Sequence, residues 1–159
     1  MPGEAIGKLT VSDIRKSVVE NPAVVTIGTS IKDALIELVG DHRTRHIYIT
    51  DKNGKMIGSV RVNNVIEYLF PYETLWQSSS EYADLGIFSK KNLEDIINRN
   101  FVYVRDSTKV SDMISIMLSE KINELPVLDL EMRIIGEVNI LEVIIAYLKD
   151  DGNKLLTNN

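Results

Sequence analysis

Apolar residues recur along this chain in two matching sets. The first set begins at Ile31 with apolar residues at i, i+3, i+4, i+7 and i+8, and it continues into a short strand that ends at Asp51. A turn with an Asn-Gly pair and a second strand at 56–60 follow. The same order begins again at Val110, 79 residues later. Because this helical spacing is typical of one buried helix face, and short apolar runs are typical of strands, the pattern predicts an internal repeat.

Each copy has further elements on both sides of this pattern. A short helical segment comes first (Val11–Ile14 or Leu93–Ile96), a β-rich segment precedes the long helix, and an amphipathic helix ends the copy. This order predicts the α/β class, with two pseudo-symmetric β-α-β-β-α units. The predicted boundaries are a first repeat at 9–70, a connector at 71–91 and a second repeat at 92–149.

The connector is rich in aromatic residues. Five of the ten aromatic residues of the chain lie between 70 and 88, beside a run of three serines at 78–80. One interpretation is a surface loop that a few rings hold in place. The other is a flap over a site or a self-association surface, because exposed aromatic clusters tend to mark interfaces.

The amino-acid composition excludes several classes of function and disfavours others. The chain has 159 residues, a net charge of −5 and no cysteine, which excludes disulfides, a thiol nucleophile and cysteine-based metal sites. Its apolar runs are shorter than the ~20 residues of a membrane span, and residues 1–9 contain no apolar signal core. We therefore expect a cytoplasmic protein with no membrane association. The acidic balance also disfavours a nucleic-acid partner.

The repeated strand motifs resemble those of the CBS domain, the regulatory module named after cystathionine β-synthase. The second copy reads Leu-Pro-Val-Leu-Asp at 125–129 and Ile-Ile-Gly-Glu-Val at 134–138, and residues 47–51 and 56–60 are their counterparts in the first copy. The resemblance implies a tandem pair packed sheet to sheet, which forms a homodimer. It also implies a sensor that an unknown downstream protein reads. Two clefts between the repeats would hold AMP, ADP, ATP or S-adenosylmethionine as ligand, with no required cofactor.

The resemblance also implies which residues form the two clefts. Each cleft would combine the loop after the last strand of one repeat, where an acidic residue contacts ribose, with strand starts of the other repeat. The favoured cleft contains an arginine-rich loop suited to phosphate. Its residues are Thr26, Ile27, Arg43, Thr44, Arg45, His46, Asn139 and Glu142.

The second cleft departs further from the family pattern. Asn64 stands where the family has aspartate, whereas Glu142 keeps a carboxylate at the matching position of the favoured cleft. Arg61 and Asn139 both replace threonine, and Arg61 is a candidate phosphate contact. The residues of the second cleft are Arg61, Asn64, Val104, Ile122 and Asn123.

Several of these residues have simpler interpretations. The loop at 42–46 is equally consistent with a solvated connection between helix and strand. Its two histidines approach a strand without a carboxylate at ligand spacing, so no metal site is predicted. Tyr48, in place of the motif's proline, is interpreted as core or dimer packing, with adenine stacking as the alternative.

No catalytic set is present, so the chain is not expected to be an enzyme. The sequence contains no glycine-rich phosphate loop and no recognisable Ser-His-Asp arrangement. A second hypothesis is a ligand-free module for dimerisation or protein interaction. Its contact faces would carry Ile36, Ile116, Tyr68 or Ile145.

Overall fold

The computed structural model describes residues 4–19, 21–40, 44–69 and 92–150. These residues form two compact units. The first-repeat unit lies within 22–101, and the second-repeat unit combines residues up to 21 with those from 102 onwards. The predicted connector at 71–91 lies outside the described residues. Among the helices that are described, none has the length and apolar character needed to cross a membrane.

The first-repeat unit contains a three-stranded sheet covered by helices. Its strands are β1 (Ala23–Thr26), β2 (His46–Thr50) and β3 (Met56–Arg61). Strand β1 runs parallel to β2, and β2 runs antiparallel to β3. The helices are α3 (Ile31–Val39) and α4 (Val62–Leu69), and a short 3₁₀ helix at Leu93–Asp95 belongs to the same unit. The buried core consists of Ala23, Ile31, Ala34, Leu38, Ile47, Ile49, Val60, Val65, Leu69 and Leu93.

The second-repeat unit has the same order of elements, but its first strand is reduced to a single bridge. Strands β4 (Glu124–Leu128) and β5 (Ile134–Asn139) are antiparallel. They follow helix α5 (Val110–Glu120), and helix α6 (Ile140–Asp150) comes after them. Helices α1 (Glu4–Lys8) and α2 (Val11–Ile14) complete the unit. The core comprises Ile6, Val11, Ile14, Val104, Val110, Met113, Met117, Leu125, Val127 and Val138. The predicted α/β class with two repeats is confirmed.

The β-rich segment at 102–104 is not a full strand. Only Val104 makes a parallel bridge, to Val127. Its N–H donates to the Pro126 carbonyl at 3.1 Å, and its own carbonyl accepts the Leu128 N–H at 2.9 Å. The prediction of a strand at this place was therefore correct in position but too long, and the structure shows that the one bridge it makes is parallel.

An aspartate organises the turn between the last two strands of each unit. Asp51 Oδ1 accepts the N–H groups of Asn53 and Lys55 at 2.8 and 3.0 Å. Asp129 Oδ1 accepts the equivalent pair, from Glu131 and Arg133, at 2.9 Å each. This explains why an aspartate directly follows each of these two strands. Gly54 has a φ of +82°, and its counterpart Met132 takes the same left-handed region at +65°, which a side chain disfavours by about 1–2 kcal/mol.

The segment that leads into each repeat belongs to the compact unit of the other repeat. We call residues 9–19 the N-terminal leader and residues 92–98 the inner leader. In the second-repeat unit, the N-terminal leader forms a bridge from Thr10 to Lys109. In the first-repeat unit, the inner leader forms the equivalent bridge, from Asn92 to Ser30. The short leading helices are therefore exchanged, although each is continuous in sequence with its own repeat.

The glycine of the repeated Gly-x-Val motif provides space for each leader. A Cβ at Gly58 would lie 2.4 Å from Ile97 Cγ1 and 2.8 Å from the Asn98 carbonyl oxygen. A Cβ at Gly136 would lie 2.8 Å from an Nη atom of Arg15. Next to Gly58, Ser59 and Asn98 exchange two backbone hydrogen bonds, at 3.0 and 2.9 Å. The motif glycine is thus required by a close approach of the leader rather than by its own dihedral angles.

Replacement of Gly58 by alanine tests this explanation. We expect Gly58→Ala to lower the free energy of unfolding by about 1–3 kcal/mol, because Ile97 and the inner leader backbone must shift. The control is Gly7→Ala in helix α1, where the nearest atom to a new Cβ is 4.0 Å away. That change should be neutral or stabilise by up to about 1 kcal/mol. Urea unfolding measures both, and equal effects would contradict the packing role of Gly58.

Candidate functional site

Arg45 directly precedes β2, and Arg61 is the last residue of β3 in the first-repeat unit. His46 pairs directly with Arg61 across the two strands. The Arg45 carbonyl accepts the N–H of Val62, the first residue of α4, at 3.0 Å. Strand pairing and the start of α4 therefore place Arg45, His46 and Arg61 at one sheet edge, which we call the cationic edge. Arg45 and Arg61 are exposed, and His46 is half-buried.

Thr44 and Tyr48 support this edge from inside the unit. Thr44 is 2% exposed, and its hydroxyl donates to the His46 carbonyl at 3.3 Å. An Nη atom of Arg45 donates to the Thr44 carbonyl at 2.8 Å. Tyr48 is buried, and its ring stacks on that of His46 with centroids 6.0 Å apart. The buried position of Tyr48 agrees with the core-packing interpretation.

Thr26 and Ile27 lie at the other end of the sheet. Strand β1 begins at Ala23 and ends at Thr26, so the expectation that Thr26 and Ile27 lie at its start is wrong. Thr26 pairs with Thr50, and the Ile27 N–H donates to the Thr50 carbonyl at 2.8 Å. Thr50 lies four positions after His46 along β2, which corresponds to about 13 Å. The sequence indicated the strand but not its first residue.

The beginning of β1 was not among the predicted site residues. Ala23 pairs with Ile47 in the parallel ladder, so the beginning of β1 lies beside the beginning of β2 at the cationic edge. Pro22 precedes it, and a proline is typical of the first residues of a strand. That signal could have located the strand start from the sequence.

The equivalent edge of the second-repeat unit carries carboxylates instead of arginines. Glu124 pairs with Asn139 where His46 pairs with Arg61 in the other unit. The Asn123 carbonyl accepts the Ile140 N–H at 2.7 Å, as Arg45 accepts that of Val62. Three glutamates in this part of the unit are 1–5% exposed: Glu124, Glu137 and Glu142. We call this the acidic edge.

The other predicted residues of the second-repeat unit are divided between this edge and the core. Ile122 and Asn123 immediately precede β4 and therefore lie at the acidic edge. Val104 is 2% exposed and bridges to Val127, three residues further along β4. Within each unit, the structure thus groups residues that the sequence-based hypothesis places in different clefts.

Glu142 fixes the N-terminal leader. Its side chain is only 1% exposed. Oε1 accepts the N–H of Val18 at 3.1 Å, and Oε2 accepts that of Asn139 at 2.9 Å. Burial raises the pKa of Glu142, and the N–H groups of Asn139, Val18, Ser17 and Lys16 oppose that rise. The carboxylate therefore caps the first turn of α6 and holds the leader backbone with the same two oxygens.

Arg15 provides a second attachment of this leader. Its Nε donates to Asp106 Oδ1 at 2.5 Å, and an Nη atom donates to Oδ2 at 3.0 Å. Another Nη atom donates to the Ile135 carbonyl at 3.3 Å, above Gly136. This two-point pairing is the strong geometry for arginine and carboxylate. It holds the leader beside the motif glycine of β5.

In the first-repeat unit, the residue equivalent to Glu142 does not hold the inner leader. That residue is Asn64, which is exposed on the first turn of α4. The inner leader is held by Glu94, whose Oε1 accepts the Gly28 N–H at 2.7 Å, and by Asp95, which accepts the Tyr68 hydroxyl at 2.8 Å. Asn64 is therefore available to a ligand in a way that Glu142 is not.

Among the described residues, no cluster of three or more histidine, aspartate or glutamate side chains has the arrangement of a metal site. Arg43, assigned to the favoured cleft, and His42 lie outside the described residues. Their contribution to a ligand site stays a prediction.

Comparison with known proteins gives a consistent family and fold. The family model of the CBS domain matches residues 11–71 and 93–149. The curated protein CBSX2 of Arabidopsis thaliana is a CBS domain-containing protein described as chloroplastic. It is 28% identical over 146 residues, which cover 82% of this chain and 60% of CBSX2. The chain thus spans less than two thirds of that relative. A cytoplasmic location stays a prediction.

Solved structures of CBS-domain proteins share the fold. The structure of CBSX2 in complex with AMP has a TM-score of 0.67 and 26% identity, covering 90% of this chain and 98% of that one. A CBS domain-containing protein from Thermotoga maritima, tm0935, has a TM-score of 0.70 and 25% identity, with coverage of 89% and 96%. The architecture described above is therefore found in solved CBS-domain proteins.

The leader attachment predicts different effects of substitution at the two equivalent positions. Glu142→Ala leaves the buried N–H groups of Val18 and Asn139 without their acceptors. We expect the free energy of unfolding to fall by about 2–4 kcal/mol, with faster hydrogen exchange at the Val18 amide. Asn64→Ala is the matched control and should change it by no more than about 0.5 kcal/mol. A similar small effect of both changes would contradict the anchoring role of Glu142.

Proposed function

Because this chain belongs to the CBS domain family, with two copies of the domain, we propose that it is a regulatory module that binds an adenosine-containing ligand. The candidate ligands are AMP, ADP, ATP and S-adenosylmethionine. The observation that carries the proposal is the cationic edge, where two exposed arginines lie beside the first turn of α4. The AMP complex of CBSX2 supports an adenosine-type ligand for a relative of the same fold.

The residues of the first-repeat unit have complementary roles in this proposal. Arg45 and Arg61 offer guanidinium donors to phosphate oxygens. Asn64 offers an amide oxygen and amide donors to ribose hydroxyls. Backbone groups where β1 and β2 begin would read the adenine edge. Each role uses a group that is exposed or lies at the end of a strand.

Glu142 has a different role in this proposal from the ribose contact that the sequence-based hypothesis gave it. Its two oxygens already accept the N–H groups of Val18 and Asn139. A ribose hydroxyl would have to compete with the N-terminal leader for this carboxylate. We keep Glu142 as a candidate ribose contact whose use would require movement of the leader.

Regulation would follow from coupling between ligand and conformation. A ligand shifts a conformational equilibrium only by the difference between its affinities for the two states. A downstream protein could then distinguish the bound state from the free state. No residue is assigned a catalytic role in this proposal.

A second candidate function is a ligand-free dimerisation module. Equivalent apolar residues at the ends of the long helices are exposed: Val39 by 60% on α3 and Leu118 by 72% on α5. Helix α6 exposes Ile144 and Tyr147, which line an apolar groove of about 470 Å³ with Ile6 of α1. Such apolar helix surfaces favour association with a second copy.

The four residues predicted for the dimer face are not equally accessible. Ile36 is 59% exposed on α3, whereas Ile116 packs against the core of the second-repeat unit. Tyr68 is held by Asp95 through its hydroxyl. Ile145 is half-buried in the lining of a cavity beside the N-terminal leader. Ile36 is therefore the residue of this group that best fits a contact between copies.

Thermal unfolding with added nucleotides tests the ligand proposal. AMP, ADP, ATP and S-adenosylmethionine are added separately to the full chain. A ligand at about 100 times its dissociation constant adds about 2.7 kcal/mol, which raises the melting temperature by several degrees for a chain of this length. Guanosine monophosphate is the control for adenine recognition. No shift with any adenosine compound at millimolar concentration would contradict the proposal.

Light scattering tests dimerisation. The chain has a mass of 17.9 kDa, so we expect a particle of about twice that mass at micromolar concentration. Ile36→Glu should give a monomer, because it introduces a charge on the proposed apolar contact face. Leu130→Glu, at an exposed residue of the β4–β5 turn, should leave the dimer intact. A monomeric wild-type chain would contradict self-association.

A further inference from the structure

We propose that the cationic edge selects the phosphate chain of the ligand, so that affinity rises with each added phosphate and a cationic ligand such as S-adenosylmethionine is disfavoured. This inference rests on the proposed function and specifies the ligand class of its first-repeat site. The site consists of Arg45, His46, Arg61 and the first turn of α4. The acidic edge of the second-repeat unit does not have this preference.

The backbone brings the positive groups together. His46 and Arg61 are directly paired residues of antiparallel strands, and the side chains of such a pair leave the same face of a sheet with Cα atoms about 4.5–5.5 Å apart. Arg45 is tied to the start of α4 by the bond from the Val62 N–H. The free N–H groups of a helix's first turn add a partial positive charge. An anion at this edge would therefore lie near two arginine residues and a helix start.

Four of the six acidic side chains that the structure describes in the same unit make hydrogen bonds away from this edge. Asp51 shapes the turn at the opposite end of β2, and Asp33 accepts the Ser30 hydroxyl at the start of α3. Glu94 and Asp95 hold the inner leader. The other described acids of the unit, Glu37 and Glu67, are exposed on α3 and α4.

The second-repeat unit provides an internal comparison. The same backbone positions hold Asn123 in place of Arg45, Glu124 in place of His46 and Asn139 in place of Arg61. Pairing and helix start are the same in both units, so the two edges differ in side-chain charge rather than in fold. Phosphate groups are attracted to the first edge and repelled by carboxylates at the second. The difference predicts one nucleotide per chain rather than two.

Isothermal titration of the full chain with a graded set of ligands tests this inference. The set is adenosine, AMP, ADP, ATP, S-adenosylmethionine and inorganic tripolyphosphate. We expect affinity to increase from adenosine to ATP, with ATP binding at least about ten-fold more tightly than adenosine or S-adenosylmethionine. The expected stoichiometry for ATP is one per chain. Higher salt should weaken ATP binding more than adenosine binding.

Replacing each arginine by the residue at the equivalent position of the second repeat tests whether the cationic edge causes the phosphate preference. Arg61→Asn and Arg45→Asn introduce the residues of the equivalent positions, Asn139 and Asn123. Each should lower ATP affinity about ten-fold or more and leave adenosine affinity within about two-fold, while Arg61→Lys should retain part of the ATP preference. Arg133→Asn, at an exposed ion pair on the β4–β5 turn, should change neither. Thermal unfolding checks that each variant is folded.

The outcomes separate this inference from the proposed function. Equal affinities for adenosine and ATP, tighter binding of S-adenosylmethionine than of ATP, or unchanged ATP affinity in both asparagine variants would overturn the phosphate preference alone. Adenosine binding in those cases would still support the proposed function. Binding of tripolyphosphate that Arg61→Asn abolishes, without binding of adenosine, would support the cationic edge and reject adenosine recognition. No binding of any ligand would reject both.

Discussion

The absence of a side chain at two equivalent strand positions allows each compact unit to hold the leader of the other repeat. Gly58 lies against Ile97, and Gly136 lies against Arg15, at distances where a Cβ would overlap the neighbouring atoms. The leaders complete both cores: Leu93 is buried in the first-repeat unit, and Val11 and Ile14 are buried in the second. Close packing of this kind tolerates little change in volume. The architecture of both units therefore depends on these two glycines.

The shared framework carries different polar groups in its two copies. The pairing of β2 with β3 matches that of β4 with β5, and the two aspartate turns have the same hydrogen bonds. At the sheet edge, however, the first unit presents Arg45 and Arg61, whereas the second buries carboxylates. One of these, Glu142, is used to hold the N-terminal leader. The two copies thus share their packing, and their edges differ in charge, which gives the two copies different chemistry.

How well the site could be predicted depends on how far apart in the chain the interacting residues lie. The arginine-rich loop and the residues that replace the motif's aspartate were found from the sequence, because they stand at fixed positions within a short motif. The exchange of the leaders was not found, because each leader is held by residues that are distant in the chain: 124 residues separate Val18 from Glu142, and 66 separate Glu94 from Gly28. Thr26 and Ile27 were misplaced for a simpler reason: a run of four apolar and β-branched residues does not mark its own first residue.

The sequence by itself determined the repeat, the order of helices and strands within it, the buried helix faces and the family to which the chain belongs. These properties depend on periodicity and short motifs, which act between residues close together in the chain. Only the tertiary structure decided that each leader packs in the other unit and that Glu142 binds backbone N–H groups. It also decided that Arg45 and Arg61 share one edge. The physical reason is that strand pairing and core packing join residues from distant parts of the chain, and no local pattern specifies those partners.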